Sequence, residues 1–252
     1  MNYDVFEFYK RDLLELAEDE RTFLIHILHL NTETDILSRC SIASFMSLHH
    51  KEEVSSSAQI AQAIFFIKLM AGKLCEGHQL LHNAYWKSHL SKRYDPLLSE
   101  DARASLKEIK RYFNLDTNML YDIRNNYSFH YDVDRVRDVI DAIEDEDELR
   151  YYQPRFHGNA FAEFSELALL TSLVTSYGGG DPEVATKRLY KEASAIRNHF
   201  KVFGADYAGI VLEKLSITHG TTTPEDVPYL RDTRLPFLVN MERAQPETGG
   251  DR

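Results

Sequence analysis

The sequence predicts an all-α fold. Apolar residues recur at three- and four-residue steps over most of the chain, which is typical of amphipathic helices. Residues 57–93 show this spacing best, as one continuous apolar stripe long enough to form the central helix of a bundle. Residues 149–158 are the one place where we expect strand structure, as a short hairpin.

The composition indicates a folded, cytoplasmic protein. The chain has 252 residues, 43% of them hydrophobic, which is enough for a substantial core. Its formal net charge of −11 argues against a broad basic surface for nucleic acid but leaves room for a small positive site. Two cysteines, Cys40 and Cys75, favour a reduced chain without disulfides. There is no signal-peptide pattern and no unbroken apolar run near the roughly 20 residues of a membrane span, so we expect no membrane contact.

Eight helices are predicted along the chain. Their ends are set by polar caps, by Pro182 in a first turn and by Gly178–Gly180 after a last one. The predicted ranges are 4–30, 33–48, 57–93, 99–113, 116–130, 132–144, 160–177 and 182–203, with one or two further turns in 206–215. The first boundary is placed at Asn31–Thr34, where polar residues interrupt the apolar pattern. Gly72 and Gly77 would let a neighbouring helix approach the third helix closely.

Changes of composition divide the chain into three regions. Residues 1–145 are predicted to form a helical bundle, and residues 146–216 a C-terminal helical extension packed on it. Residues 217–252 are Pro-rich and are predicted to be a partly disordered tail. Within this tail, the apolar stretch 235–239 is expected to dock on the body of the protein.

The segment Tyr121–Asp132 brings the most chemically capable side chains together. Arg124 keeps its charge at all relevant pH values and offers a planar fork of donors suited to phosphate. His130 can give or take a proton near neutral pH. An anion clamp beside an acid–base group is the minimum needed to break a phosphodiester without a metal. The plainer alternative is that the two residues form a surface ion pair and a helix cap.

A basic stretch precedes this segment and could guide phosphate toward it. Residues 87–111 hold seven Lys or Arg and four acids. The candidate substrate-binding residues are therefore Lys110 and Arg111, with Asn126 and Tyr127 from the central segment. A solvated helix face would also account for the basic run.

Ideal helix geometry limits how the two central residues can cooperate. Six residues along an α-helix place Arg124 and His130 about 120° apart around the axis, so they converge only if the last turn unwinds or a second subunit contributes. A metal site at Glu76, His78 and His82 is a further alternative. His78 lies on the apolar stripe and the register of zinc proteases is missing, so we expect no metal and no cofactor.

Arg124, Asn125 and His130 together resemble the signature of the HEPN superfamily, in which an Arg is followed after four to six residues by a His. The stretch Leu69–Glu76 on the preceding long helix is also similar to bacterial members. The resemblance covers about residues 5–145. It implies an up-down bundle of four or five helices that dimerises and brings two motifs together across the seam.

The resemblance also implies roles for three residues, because active members of the superfamily are metal-independent ribonucleases. His130 would assist attack of the RNA 2′-hydroxyl on its own phosphate or protonate the leaving oxygen. Arg124 would hold the phosphate and stabilise its growing charge, and Asn125 would orient either group. The products would carry a cyclic phosphate and a free 5′-hydroxyl. The family further suggests a toxin or defence setting with an antitoxin or other protein partner.

The expected function is therefore that of a metal-independent endoribonuclease working as a homodimer on RNA. The alternative is a catalytically inactive dimeric helical module that binds a protein or a nucleotide, with Arg124 and His130 as an interfacial hydrogen-bonded pair. The acidic net charge and the lack of a separate RNA-binding module favour this alternative. A shared, open cleft lined by Arg or Lys would distinguish the ribonuclease from buried or diverging motifs.

Overall fold

The described part of the chain is all-α, as the sequence predicts, with one two-stranded sheet. A computed structural model describes residues 3–46, 53–115, 118–128, 148–153, 160–217, 219–223, 228–229 and 232–237, and the single positions 137, 140, 141 and 146. The elements in chain order are β1 (Tyr3–Phe6), α1 (Lys10–Leu13), α2 (Glu18–Phe45), α3 (Glu53–Leu80) with a following π-helical turn (Leu81–Trp86), α4 (His89–Tyr94), α5 (Glu100–Phe113), α6 (Met119–Ile123) with a following π-helical turn (Arg124–Ser128), α7 (Glu163–Gly178), α8 (Pro182–Lys214) and β2 (His219–Thr222).

Helices α2 and α3 pack side by side and run in opposite directions. Leu30 of α2 faces Gly77 of α3, whereas Glu33, further along α2, bonds to Lys73, which comes earlier on α3. A Cβ atom at Gly77 would overlap the Leu30 side chain and lie 3.1 Å from a ring carbon of Phe200. The predicted close approach at Gly77 is therefore confirmed, and it involves both α2 and α8.

Helix α8 lies at the centre of the fold, packing against α2, α3, α5 and α7. Its aromatic residues Phe203 and Tyr207 join Phe23 of α2 and Tyr85 of the first π-helical turn in one buried cluster. The Phe23 ring centroid lies 5.2 Å from that of Tyr85 and 5.1 Å from that of Tyr207. These four side chains hold the start of α2 against the second half of α8. The predicted domain boundaries stay predictions.

A buried carboxylate joins the start of α2 to α4 and to the end of α8. Glu20 is fully buried and accepts a hydrogen bond from the Tyr94 hydroxyl. Arg93 Nη1 lies 3.0 Å from one oxygen of Glu20, and Lys214 Nζ lies 2.9 Å from both. Burial by itself raises the pKa of Glu20, but the Tyr94 hydrogen bond and the cations of Lys214 and Arg93 outweigh burial and lower the pKa overall.

Two predicted helix breaks are wrong. Helix α2 continues through residues 31–34, where the Thr34 hydroxyl donates to the Leu30 carbonyl at 2.9 Å and so stays inside the helix. Helix α8 likewise continues through Gly204 as a single helix to Lys214. A Cβ atom at Gly204 would overlap the Asn31 amide, so this glycine marks where α8 and α2 cross rather than a helix end.

Other predicted helices are confirmed with shifted ends. Helix α5 begins after the Ser99 cap, as predicted. The predicted helix 57–93 is divided, because α3 passes into a π-helical turn and Ser88 then caps α4 by accepting from the Leu90 amide at 3.1 Å. The predicted helix at 132–144 lies outside the described residues, apart from three single positions.

An isolated β-bridge lies close to the predicted hairpin, and a two-stranded sheet joins the two ends of the helical body. Tyr152 and Phe161 exchange backbone hydrogen bonds of 2.8 and 2.9 Å, close to the predicted hairpin. Phe237 of the tail packs on Phe161 with ring centroids 5.3 Å apart, which confirms docking of the tail at this residue. Strands β1 and β2 pair antiparallel, with Tyr3 opposite Thr222, although a helix was predicted from residue 4.

One segment, Ser55–Trp86, is long and apolar enough by length and composition to cross a membrane. This differs from the expectation based on unbroken apolar runs. The core helix of a soluble protein passes the same test, and 61% of the most apolar window here is buried inside the fold, so the segment is weak evidence for a membrane span.

Candidate functional site

Helix α6, which leads into the central motif, is held by side chains at its first turn. Asn118 caps it by accepting from the Tyr121 amide at 2.9 Å. The Tyr112 hydroxyl of α5 accepts from the Leu120 amide at 3.2 Å and donates to Glu192 of α8 at 2.5 Å. Side chains of α5 and α8 therefore fix the position from which the motif starts.

Asp122 anchors the following turn to α7. One carboxylate oxygen of Asp122 accepts from the Asn126 amide at 2.5 Å, and the other accepts from the Tyr177 hydroxyl at 2.7 Å. Burial, together with the hydrogen bond to Asp122, raises the pKa of Tyr177, so Tyr177 remains a donor at any physiological pH. Asn126, a predicted substrate contact, is thus already engaged in holding the turn.

Arg124 opens the π-helical turn that follows α6. Such turns are rare and occur frequently at functional sites. Its Nη2 donates to Oε1 of Glu76 at 2.8 Å, and its Nη1 donates to Oδ1 of the adjacent Asn125 at 3.2 Å. The Arg124 side chain is 31% exposed and Asn125 is exposed, so both can be reached from solvent.

Arg124 and Glu76 stand at one side of a groove between α2 and α3, which we call the Arg124 groove. It has a volume of about 860 Å³ and an apolar floor that includes Leu30, Leu69 and Leu80. Its charged residues form ion pairs with one another. Glu33 lies 2.8 Å from Lys73 Nζ and 3.5 Å from His29 Nε2, and Glu76 holds Arg124. Both permanent cations of the groove, Lys73 and Arg124, are therefore paired with carboxylates.

Three of the remaining predicted site residues, Lys110, Arg111 and Tyr127, do not line the Arg124 groove. Lys110 lies beside Trp86, in a separate concavity. Arg111 pairs with Glu108 in a third one. Tyr127 packs partly against the hydrophobic core. His130 lies outside the described residues, so its distance from Arg124 stays a prediction.

His78 lies among aromatic rings. Its ring stacks on Phe113 with centroids 4.4 Å apart, and its Nδ1 lies 2.8 Å from the Tyr121 hydroxyl. Burial, and then the nearby His82, lower the pKa of His78 to about 4, so its imidazole is neutral at pH 7. Among the described side chains, no three His, Cys, Asp or Glu lie close enough together to hold a metal ion.

Acidification is expected to destabilise the protein through His78. An unfolded histidine takes up a proton near pH 6.5 but the folded His78 only near pH 4, so the unfolded state binds more protons between these values. The stabilisation is complete above about pH 6.5 and falls by about 1.4 kcal/mol per pH unit as the pH is lowered toward 4. Urea unfolding of the wild type and of His78→Gln across this range measures the slope.

The His78→Gln variant should lose clearly less stability than the wild type between pH 6.5 and 4. His26→Gln is the matched control, because it removes one exposed imidazole of α2 and leaves His78 in place. Equal slopes in all three proteins would mean that the folded His78 titrates normally.

Sequence reasoning missed the residues that hold the motif in place. The sequence indicates Glu76 only as a possible metal ligand and as the last residue of the stretch that resembles bacterial HEPN members, and no local pattern indicates Tyr177 or Glu192. Glu76 is 48 residues from Arg124, and Tyr177 is 55 from Asp122. Pairings over such separations leave no pattern in a single sequence.

Comparison with known proteins adds no relative to this picture. No family model, no curated protein and no solved structure matches the chain.

Proposed function

We propose that the protein is a metal-independent endoribonuclease of the HEPN type that works as a homodimer in the cytoplasm. The observation that carries the proposal is the position of Arg124. Its guanidinium is partly exposed at a groove, with the Asn125 amide beside it. It lies on a π-helical turn that is anchored to α7 through Asp122. An arginine fixed in this way can bind a phosphate with little reorganisation.

The chemistry follows from the residues assigned by the resemblance. Arg124 binds the scissile phosphate and stabilises the charge that develops on it. His130 accepts the proton of the attacking 2′-hydroxyl or donates a proton to the leaving 5′-oxygen as the P–O5′ bond breaks, which leaves a cyclic phosphate and a 5′-hydroxyl. Glu76 now accepts the hydrogen bond that the phosphate needs. RNA binding therefore exchanges a carboxylate for a phosphate at Arg124 Nη2.

Exposed apolar side chains of α2 support the proposal of a second subunit. Ile25 and Ile36 are about half exposed, at 54% and 47%, and Ile36 lines the Arg124 groove. Apolar side chains on the rim of a candidate site are suited to contact with another chain. A second copy would add its own Arg124 and His130 to the same cleft.

The deciding experiment is RNA cleavage in the presence of EDTA. Wild type should cleave, and Arg124→Ala should lose about 10²- to 10³-fold in rate, as expected when one transition-state hydrogen-bond donor is removed. His130→Ala should be comparably impaired. Arg39→Ala is the matched control, because Arg39 is an exposed arginine of α2 that does not line the groove. Unchanged cleavage in both site variants, or loss of wild-type cleavage with EDTA, would contradict the proposal.

A second candidate is the catalytically inactive interaction module, and the Arg124–Glu76 ion pair favours it. If this pair is only structural, Glu76→Gln should change neither RNA binding nor any activity. If Arg124 is a phosphate ligand, Glu76→Gln removes its competitor and should tighten RNA binding several-fold. Binding of labelled RNA to the two proteins separates the candidates, and absence of cleavage by any folded variant would favour the module.

A further inference from the structure

A small concavity beside the Arg124 groove has the side chains of a base-binding site. It lies between the π-helical turn after α3, the end of α5 and α6, and we call it the Trp86 notch. Its volume is about 270 Å³, just below the roughly 300 Å³ at the lower end of small-molecule sites, which suits a single planar group. The notch is lined by His78, Gln79, His82, Trp86, Lys110, Asn114 and Tyr121.

The Trp86 notch differs from its neighbours in charge. Three other concavities lined by described residues each contain at least two carboxylates, whereas the residues of the notch include none. Those carboxylates are Glu33 and Glu76 in the Arg124 groove, Glu148, Glu163 and Glu166 between α3 and α7, and Glu108 and Glu192 between α5 and α8. In a chain of net charge −11, a concavity with a lysine and no acid favours an anionic ligand.

The aromatic and polar groups of the notch indicate what kind of anion it takes. Trp86 is half-buried, and Lys110 Nζ lies 5.7 Å from its ring centroid, close to the limit of a cation–π contact. A lysine on its flexible stem can move to a phosphate and leave the indole face to a planar base. Asn114 and Gln79 supply amides for the polar edge of that base.

The notch and the Arg124 groove adjoin each other along two helices. On α6 and its continuation, Tyr121 lines the notch and Arg124, one turn later, lines the groove. On α3, Glu76 and Gln79 are related in the same way. Residues three apart on a helix have Cβ atoms about 5–6 Å from each other. One strand can therefore place a phosphate at Arg124 and a neighbouring base in the notch.

We propose that the Trp86 notch binds one base of a single-stranded RNA, with Trp86 as the stacking surface and Lys110 as the contact to the strand's phosphate. Base–aromatic stacking over a basic surface is how proteins hold single strands with little sequence preference. The inference rests on the proposed function for its ligand and deepens it. It makes the substrate single-stranded, because a base in a duplex cannot leave its partner to stack on Trp86 without the cost of unpairing.

Trp86 is the only tryptophan of the chain, so its fluorescence reports directly on the notch. The probe is a 2′-O-methyl RNA hexamer, which lacks the nucleophilic hydroxyl and stays intact during titration. Wild-type fluorescence should change saturably with the hexamer. A hexamer with abasic sites and the mononucleotide AMP should each bind at least about fivefold more weakly, because stacking or the rest of the strand is lost.

Two variants test the assigned roles by binding of a labelled hexamer. Trp86→Leu should weaken binding about 5- to 150-fold, the range for loss of one base stack. Lys110→Ala changes only a surface side chain, and it should lower the slope of log affinity against log salt concentration by about 0.7, the value for one phosphate contact on a single strand. Lys10→Ala, at an exposed lysine of α1, is the matched control and should leave affinity and slope unchanged.

The outcomes separate this inference from the proposed function. Saturable quenching of Trp86 fluorescence without RNA cleavage would support base binding in the Trp86 notch and contradict the ribonuclease activity. RNA cleavage together with wild-type affinity in both Trp86→Leu and Lys110→Ala would support the ribonuclease activity and contradict base binding in the Trp86 notch. If the abasic hexamer binds as tightly as the intact hexamer, a base does not stack on Trp86. If AMP binds as tightly as the intact hexamer, the site does not recognise an RNA strand.

Discussion

Replacing Glu20 with alanine is expected to lower the free energy of unfolding by about 3 kcal/mol. Removing one member of a buried ion pair costs about 3–5 kcal/mol. The lower end applies because the two cations, Lys214 and Arg93, are 37% and 47% exposed and can turn to water. The Tyr94 hydroxyl, by contrast, is left without its acceptor in a buried position. Urea unfolding at pH 7 measures the loss.

The same variant has an expected pH signature. The folded-state pKa of Glu20 is lowered, so the stabilisation from its charge is complete above the ordinary value of 4.5 and is lost as the pH falls through the folded-state value. The difference in stability between wild type and Glu20→Ala should therefore shrink below about pH 4.5. Glu18→Ala, in the same first turn but exposed, is the control and should cost under about 0.5 kcal/mol. A pH-independent difference would mean that the Glu20 charge contributes nothing.

Local signals predicted the helices, and long-range contacts decided where several of them end. The Ser99 cap placed the start of α5 because the serine side chain accepts from the Ala102 amide within the same turn. At Asn31, and at Gly204 in the gap between the predicted segments 182–203 and 206–215, the local pattern predicts helix ends that the structure does not have. Each resembles a helix end on its own, yet the two meet where α2 and α8 cross. A glycine that serves packing cannot be distinguished from one that ends a helix without knowing what lies opposite.

Replacing Phe23 with alanine is expected to cost about 3–5 kcal/mol of stability, the range for a large aromatic side chain lost from a core. Phe23 is 1% exposed and contacts Tyr85, Tyr207 and Phe203 through their rings. Its removal leaves a cavity among side chains of two separate elements, the first π-helical turn and α8, which cannot close together freely. Chemical denaturation at neutral pH gives the loss as a shift of the midpoint at constant slope.

The matched control for this prediction is Phe65→Ala. Phe65 lies on α3 but is 51% exposed, so its removal should cost less than about 1 kcal/mol. A loss below 1 kcal/mol for Phe23→Ala as well would show that the aromatic cluster is not where the stability of the fold resides.

Sequence reasoning selects candidate site residues by their type and does not predict which side chains lie next to them. A permanent cation followed by an amide predicts Arg124 and Asn125 as site residues, and in the structure both side chains are accessible to solvent. The same reasoning grouped Lys110 with Arg124, whereas Lys110 stands beside Trp86. No local pattern of the sequence indicates Trp86 as a site residue. Its relation to Lys110 arises only when α5 packs beside the first π-helical turn.

The pairing of β1 with β2 has a consequence for the order in which the chain assembles. The two strands enclose nearly the whole helical body between them, so their encounter carries the entropy cost of closing a very long loop. A two-stranded ribbon of four residues on each side, with the β2 side chains exposed, repays little of that cost by itself. Strands β1 and β2 should therefore pair only after α2 and α8 have packed together and brought the two strands close to each other. Their pairing is expected as a late step of folding that does not drive the earlier ones.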